Sequence, residues 1–309
     1  MKHELSSEAC HYTWSARHEP RLRIASGDVV RFSTRDGFDG QLSHLADGPI
    51  FATELPVDMS HVAPLTGPIY VEDARPGDCL EIDILDLGVA GNGWLMIWPA
   101  WCGFDYHRPA ALPDSGYLKK VDFNAMLSGS VRIGPYEIAV SPMLGMIGTA
   151  PAQGEFSTVA PRDYGGNLDC RLIGSGARVR LPVFVDGACL SFGDGHAVQG
   201  DGELCTTAVE CPLEGTIRIR LERGKAAEGP QVISNGRRFV LAHGRTLDAA
   251  SKAAIERMCS YLVSALGMEP HEAYMAMSIG GHLAVNQVVN FPYVGVRLSM
   301  PELNGVEHG

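Results

Sequence analysis

Apolar and polar positions alternate with a period of two over short stretches, and Gly, Pro and Asp separate one stretch from the next. Val29-Val30-Arg31-Phe32-Ser33-Thr34 is one such run, and its alternation predicts a half-buried strand. Ile69-Tyr70-Val71 leads to the turn Arg75-Pro76-Gly77-Asp78 and then to Cys79-Leu80-Glu81-Ile82-Asp83-Ile84-Leu85. In that last run carboxylates alternate with aliphatics, which predicts a strand with one wet face. Further strands are expected over residues 131–133 and 137–140, joined at Gly134-Pro135, and over 178–190, 207–209, 216–222 and 237–242.

The period changes clearly to 3.6 in one segment. Leu247, Ala250, Ala254, Met258, Tyr261, Leu262 and Ala265 form an apolar stripe that ends at Gly267, a C-cap, and predict a helix over 247–266. A second helix is expected from Pro270 to Ile279, ahead of Gly280-Gly281. Many short strands and two late helices predict an α+β, mainly β fold: a jelly-roll-like β-sandwich core with a smaller α+β subdomain carrying the late helices. The expected organisation is one domain over 1–309, with possible subdomains 1–190 (β-rich) and 191–309 (α+β); the softest boundaries lie at 88–94 and 150–166.

Composition narrows the function classes. The chain has 309 residues, 45% hydrophobic and 20% charged, an ordinary globular balance, and a net charge of −11. That charge argues against nucleic acid, because no basic stripe is present to neutralise phosphates. The densest basic pair, Arg237-Arg238, follows Ser234-Asn235-Gly236 and is expected at a solvated hairpin tip. Met1-Lys2-His3-Glu4-Leu5 shows no apolar signal region, and no run reaches the ~18 apolar residues a membrane span needs. A cytoplasmic protein with no membrane partner is the expectation. The eight cysteines are scattered, with no Cys-x-x-Cys pair, and read as reduced, buried thiols.

Candidate chemistry concentrates in residues 191–203, where two Asp, one Glu, one His and four Gly share thirteen positions. A Gly/Asp-rich stretch is most often a solvated turn. Here it lies between apolar runs, so a ligand-bearing loop at strand ends is the competing reading. Gly165-Gly166-Asn167-Leu168-Asp169-Cys170 is a second candidate, against an Asx turn as the ordinary explanation. Asp36 and Gln41, in the segment after the first strand, form a third, and His61 a fourth. One imidazole with two carboxylates suits Zn²⁺ or a similar divalent ion, and so metal-assisted hydrolysis. Within that chemistry a further carboxylate can move the water's proton to the leaving nitrogen, and Asn167 can donate to the developing oxyanion. A cysteine nucleophile, Cys170 or Cys205, stays open beside it. No Gly-x-Ser-x-Gly elbow, Walker motif or Gly-x-Gly-x-x-Gly is present.

These stretches resemble the acetamidase/formamidase family. The resemblance runs through Thr66-Gly67-Pro68-Ile69-Tyr70-Val71 and Pro76-Gly77-Asp78, then Ser141-Pro142-Met143-Leu144-Gly145-Met146-Ile147-Gly148. It continues through residues 165–170 and 193–210 and the late Asn286-Gln287-Val288-Val289-Asn290. It implies a cytoplasmic homo-oligomer that hydrolyses short linear carboxamides to carboxylate and ammonia with a divalent metal, zinc first and calcium or another ion as alternatives. Carried onto this chain, it implies metal ligands Asp169, His196, Glu203 and Asp36, and catalytic groups Glu203, Asn167 and Asp201. Gln41, His61 and Trp98 are the expected substrate contacts, Trp98 because the run from Trp94 to Trp101 can wall an apolar pocket, with a core or subunit contact as the equal alternative.

The chain also departs from the family. The usual Asp-Cys-Phe is here Asp36-Gly37-Phe38, and the usual Asn-Pro is replaced within Ala63-Pro64-Leu65. Both changes bear on substrate size and on the bond cleaved. A β-sandwich that binds metal or ligand without turnover is the reading from a different function class.

Overall fold

The computed structural model describes residues 1–51, 55, 57–98, 109–112, 115–123 and 129–303. Two β-sheets face each other. The larger has nine strands in the spatial order Lys2–Leu5, Val29–Ser33, Leu213–Glu222, Cys79–Val89, Arg178–Pro182, Gln231–Ser234, Arg237–Gly244, Val294–Pro301 and His282–Gln287. The second runs Gly165–Asn167, Met143–Gly148, Leu190–His196, Leu65–Val71 and Cys10–His11, with Leu22–Ile24 also paired to Leu65–Val71. Within these two sheets only the first pair of the large sheet and the Leu22–Ile24 pair are parallel. The protein is therefore an α+β, mainly β sandwich.

The period-two signal explains the core. Along Cys79–Val89, Leu80, Ile82 and Ile84 are buried between the sheets, while Glu81 and Asp83 turn outward to Arg178 and Arg220. Phe32 of the large sheet meets Phe192 of the smaller one with ring centroids 4.5 Å apart. Each such side chain contributes roughly 1.5–3 kcal/mol by leaving water. On strand Arg237–Gly244 the alternation serves two layers: Leu241 enters the inter-sheet core, and Val240 and Ala242 face the helices.

Those helices are α1 (Leu247–Leu266) and α2 (Pro270–Gly280). Thr246 caps α1 by accepting from the Ala249 N–H, Gly267 closes it at a φ of 67°, and Ala250, Ala254, Met258 and Leu262 are its buried stripe. Pro270 stands in the first turn of α2, where its missing N–H costs nothing.

Five expectations are corrected. The run 178–190 is two strands, broken after Pro182, and residues 207–209 are not a strand. The residues expected as a ligand-bearing loop start inside strand Leu190–His196, every residue of which is buried. Gly165-Gly166-Asn167 is a strand rather than a tight turn; Gly165 has a φ of 113°, and a Cβ there would lie 2.2 Å from the Ile147 carbonyl oxygen, so only glycine fits. Arg238 is no solvated tip residue: it is buried, pairs with Glu302 and lies over the Tyr261 ring. Strand Leu190–His196 crosses position 190, and the large sheet takes strands from both sides of it. The Trp94 run continues past Trp98 into Pro99, Ala100 and Trp101, which lie outside the described residues, as does Cys102.

Candidate functional site

Strict alternation along Leu190–His196 would put Asp194 and His196 on the face of Phe192, inside the apolar core. Asp194 adopts a left-handed φ of 55°, which breaks the alternation and brings both side chains to a separate polar cluster. Two other acids of that cluster share the conformation, Asp169 at 41° and Glu203 at 49°. A non-glycine residue held there costs on the order of 1 kcal/mol or more, and such outliers gather at functional sites.

The cluster contains Asp169, Asp194, His196, Glu203 and Glu210, all buried. Two triads can hold an ion, Asp169–His196–Glu203 and Asp194–His196–Glu210, each with one ligand atom per residue and all atoms within 4.8 Å of one another. His196 Nε2 lies 3.0 Å from Glu210 Oε1 and 3.6 Å from Asp194 Oδ2, and its Nδ1 lies 3.9 Å from Asp169 Oδ1. Nδ1 is 2.9 Å from Gln199 Oε1. The Asn290 side-chain amide donates to Asp169 Oδ2. Glycine makes the convergence possible: a Cβ at Gly145 would stand 2.7 Å from both Asp169 Oδ1 and Asp194 Oδ2.

Electrostatics are those of an unbalanced interior. Burial and then the Asp194 carboxylate push Asp169 up to about 7. Burial pushes Glu210 up to about 8 against the opposing pull of His196, and burial with Asp169 raises Glu203 well above the usual carboxylate range. Burial opposes the charge on His196, yet the Glu210 and Asp194 carboxylates carry its pKa well above the ordinary imidazole value. Asp169 Oδ1, His196 Nε2, Glu203 Oε2 and Glu210 Oε2 are buried without a hydrogen-bond partner of good geometry. Unpartnered buried polar atoms are costly, and four within the two triads form a hard-oxygen and imidazole donor set that fits a divalent cation.

A cleft of about 60 Å³ reaches the cluster and is lined by Asp169, Asp194, Glu203 and Glu210, with Phe38, Val62, Trp98 and Met146 among its apolar walls. Asn167 and Asn290 line it too. Asn167 Nδ2 donates to the Val159 carbonyl, and its Oδ1 is buried without a partner. A larger cavity of about 340 Å³ beside α1, lined by Arg180, Arg257 and Tyr261, holds none of the five cluster residues.

Of the residues singled out from sequence, Asp169, His196, Glu203, Asn167 and Trp98 meet at this cleft or its floor. The others do not. Asp36 accepts from the N–H groups of Phe38 and Gly40, and from the Trp94 indole at 3.4 Å, so it holds its own loop. Gln41 braces the same region through Asp58 and the His61 carbonyl, and the half-exposed His61 ring pairs with Asp58. Asp201 pairs with Arg171 and Arg297. Cys170 is fully buried with its thiol pushed up to about 11 by burial, and Cys205 points its thiol at the Thr207 carbonyl; neither lines the cleft.

Sequence reasoning missed Asp194, Glu210 and Asn290 as members of the site. Asp194 is among the ionisable side chains of residues 191–203 but not in the expected ligand set, because a loop gives no register to favour it over its neighbours. Glu210 carried a readable signal, a lone carboxylate within the apolar Ala208-Val209-Glu210-Cys211. Gly37 is adjacent: a Cβ there would come 2.8 Å from Asp194 Oδ1 and Glu210 Oε2, so the Cys-to-Gly departure opens space beside those carboxylates.

The sequence model of the Acetamidase/Formamidase family matches this chain over residues 1–156 and 152–303. An acetamidase from Mycolicibacterium smegmatis is 29% identical over 256 residues, 63% of this chain and 61% of that protein. A formamidase from Methylophilus methylotrophus is 28% identical over 250 residues, covering 63% and 59%. The matched stretch thus spans about three-fifths of the length of these curated relatives. Among solved structures, an acetamidase from Bacillus halodurans superposes with a TM-score of 0.87 at 33% identity, covering 96% of this chain and 97% of that one.

Proposed function

Because this chain belongs to the acetamidase/formamidase family, we propose that it hydrolyses short linear carboxamides of the formamide and acetamide type to carboxylate and ammonia. The observation that carries the proposal is the convergence of one imidazole and four carboxyl groups at a small cleft, with four of their atoms unpartnered. Asp194, His196 through Nε2, and Glu210 are proposed to hold a divalent ion, zinc by the chemistry of the donor set, with Asp169 and Glu203 facing them. When bound, such an ion polarises a carbonyl and makes water more acidic.

The protein's own groups account for the remaining steps. Apolar walls from Phe38, Val62, Trp98 and Met146 take the acyl chain and exclude bulk water. The Asn167 Oδ1 atom accepts from the amide N–H₂ and orients it, while Nδ2 donates to the Val159 carbonyl. Water adds to the carbonyl carbon; the raised Asp169–Glu203 pair receives its proton and returns it to nitrogen as the C–N bond breaks. Asn290, donating to Asp169 Oδ2, holds that pair in place.

Cytoplasmic location belongs to the same reading and is supported by free thiols at all seven described cysteines. Among the described residues no helix is long and apolar enough to cross a membrane. The homo-oligomer is supported by apolar side chains exposed along α2, Tyr274 at 63% and Ile279 at 91%. Ammonia release from formamide, acetamide and propionamide tests the activity; metal bound without turnover of any amide or ester would favour a binding protein instead.

A further inference from the structure

We propose that Gln199 is a positioning residue that fixes a hydrogen on His196 Nδ1 and thereby aims Nε2 at Asp194 and Glu210; its consequence for ion binding rests on the proposed role of His196 as a ligand. Gln199 is buried, three residues beyond His196. Its amide nitrogen donates to the main-chain carbonyls of Asp169, at 2.7 Å, and Asn286, at 3.4 Å. Those two bonds use both of its N–H groups. Turning the amide over would set its oxygen against two carbonyl oxygens, so the surrounding network dictates the orientation.

The one atom Gln199 can then offer His196 is Oε1, an acceptor, 2.9 Å from Nδ1. Nδ1 must carry hydrogen in the neutral ring and in the charged one alike. The neutral ring keeps its lone pair on Nε2, the nitrogen 3.0 Å from Glu210 and 3.6 Å from Asp194. His196 is shared by two candidate triads, and Gln199 assigns it to the one with Asp194 and Glu210. A metal-binding histidine held at its other nitrogen in this way is oriented and made more basic.

The same side chain ties together three segments distant in sequence: the end of strand Leu190–His196, the left-handed Asp169 and strand His282–Gln287. A purely structural tie is the competing explanation, and two variants separate it. Gln199→Met keeps the volume and removes the acceptor. Gln199→Glu keeps an acceptor for Nδ1 and loses both donors to the carbonyls.

The experiment combines two-bond ¹H–¹⁵N spectra of histidine-labelled protein, with His196 assigned by its own substitution, and zinc titration by calorimetry. In the wild type the His196 Nδ1 atom is expected to be protonated and protected from exchange. Gln199→Met should lose that protection and bind zinc about 10- to 100-fold more weakly. Gln199→Glu should retain the Nδ1 signal and bind zinc more tightly than Gln199→Met, whereas a merely structural tie would leave it as impaired. An unprotonated Nδ1 in the wild type, or Gln199→Met with wild-type zinc affinity and an unchanged His196 spectrum, would overturn the assignment. Wild-type protein that binds no zinc would overturn the ion-binding reading, while the His196 spectrum still decides the role of Gln199.

Discussion

His196 Nε2 and Glu210 Oε1 lie 3.0 Å apart between two almost wholly buried side chains, yet Nε2 lacks a hydrogen-bond partner of good geometry. Two donor atoms that close and off the hydrogen-bond line suit ligands aimed at a common third point, and Asp194 Oδ2, 3.6 Å from the same Nε2, suits a third.

The acids that flank this point should differ sharply from those that do not. Asp194→Asn is expected to weaken zinc binding and lower kcat/KM by at least about 100-fold, since it removes a proposed ligand. Asp201→Asn breaks ion pairs with Arg171 and Arg297, none of which lines the cleft. It should cost about 1 kcal/mol in denaturant unfolding and leave turnover close to native. Equal losses in the two variants would refute the placement of the site.

Gly145 has no substitute in this arrangement, because its added Cβ meets two carboxylates at 2.7 Å and the Asp194 carbonyl at 2.9 Å. Gly145→Ala should destabilise the fold by about 1–3 kcal/mol through overpacking. The displaced carboxylates should lower turnover on the order of 100-fold, as misplaced catalytic groups do. Urea unfolding and ammonia release measure both; a variant unchanged in each would show that the two carboxylates have room to spare.

Neither Cys170 nor Cys205 lines the cleft, so Cys170→Ala and Cys205→Ala should each keep amide turnover within about threefold of the wild type, with any loss appearing in stability as a small buried or half-buried side chain is truncated. Loss of activity in a folded Cys205→Ala variant would reopen nucleophilic catalysis.

The metal-free protein should be less stable at pH 8 than at pH 5. Asp169 and Glu210 titrate at about 7 and about 8 in the fold, against ordinary values of 3.8 and 4.5, so the folded state keeps protons that the unfolded chain has released. The slope of unfolding free energy with pH is then negative from about pH 4 to 8. His196, also raised, adds to the same slope above 6.5. Zinc competes with those protons, so the stabilisation it gives should grow over the same range. Melting temperatures with chelator and with zinc, read from pH 5 to 8, check both trends; a chelated protein that gains stability across that range would contradict them.

Much of the fold was legible because the patterns that encode it are local. The stripe Ala250, Ala254, Met258 and Leu262, its Gly267 cap and the alternation of Leu80, Ile82 and Ile84 with Glu81 and Asp83 each map onto an element of the structure. The site was legible in part. Asp169, His196 and Glu203 stood out as ligand types among glycines, but residues 190–196 form a buried strand that no alternation announces, because a left-handed backbone at Asp194 redirects its side chains. Glu210 and Asn290 join only through long-range pairing, Glu210 by bridges to Trp94 and His196, Asn290 by its bond to Asp169. Asp36, Gln41, His61 and Asp201 carry the same chemical types and spend them on loops and arginines.

The most direct test is ammonia release from formamide and acetamide by protein stripped of metal and then titrated with zinc, with metal content measured on the same samples. Turnover should fall by about 100-fold or more in the stripped protein and be restored by zinc in the wild type but not in His196→Ala. Full turnover by protein shown to contain no metal would contradict metal-dependent hydrolysis.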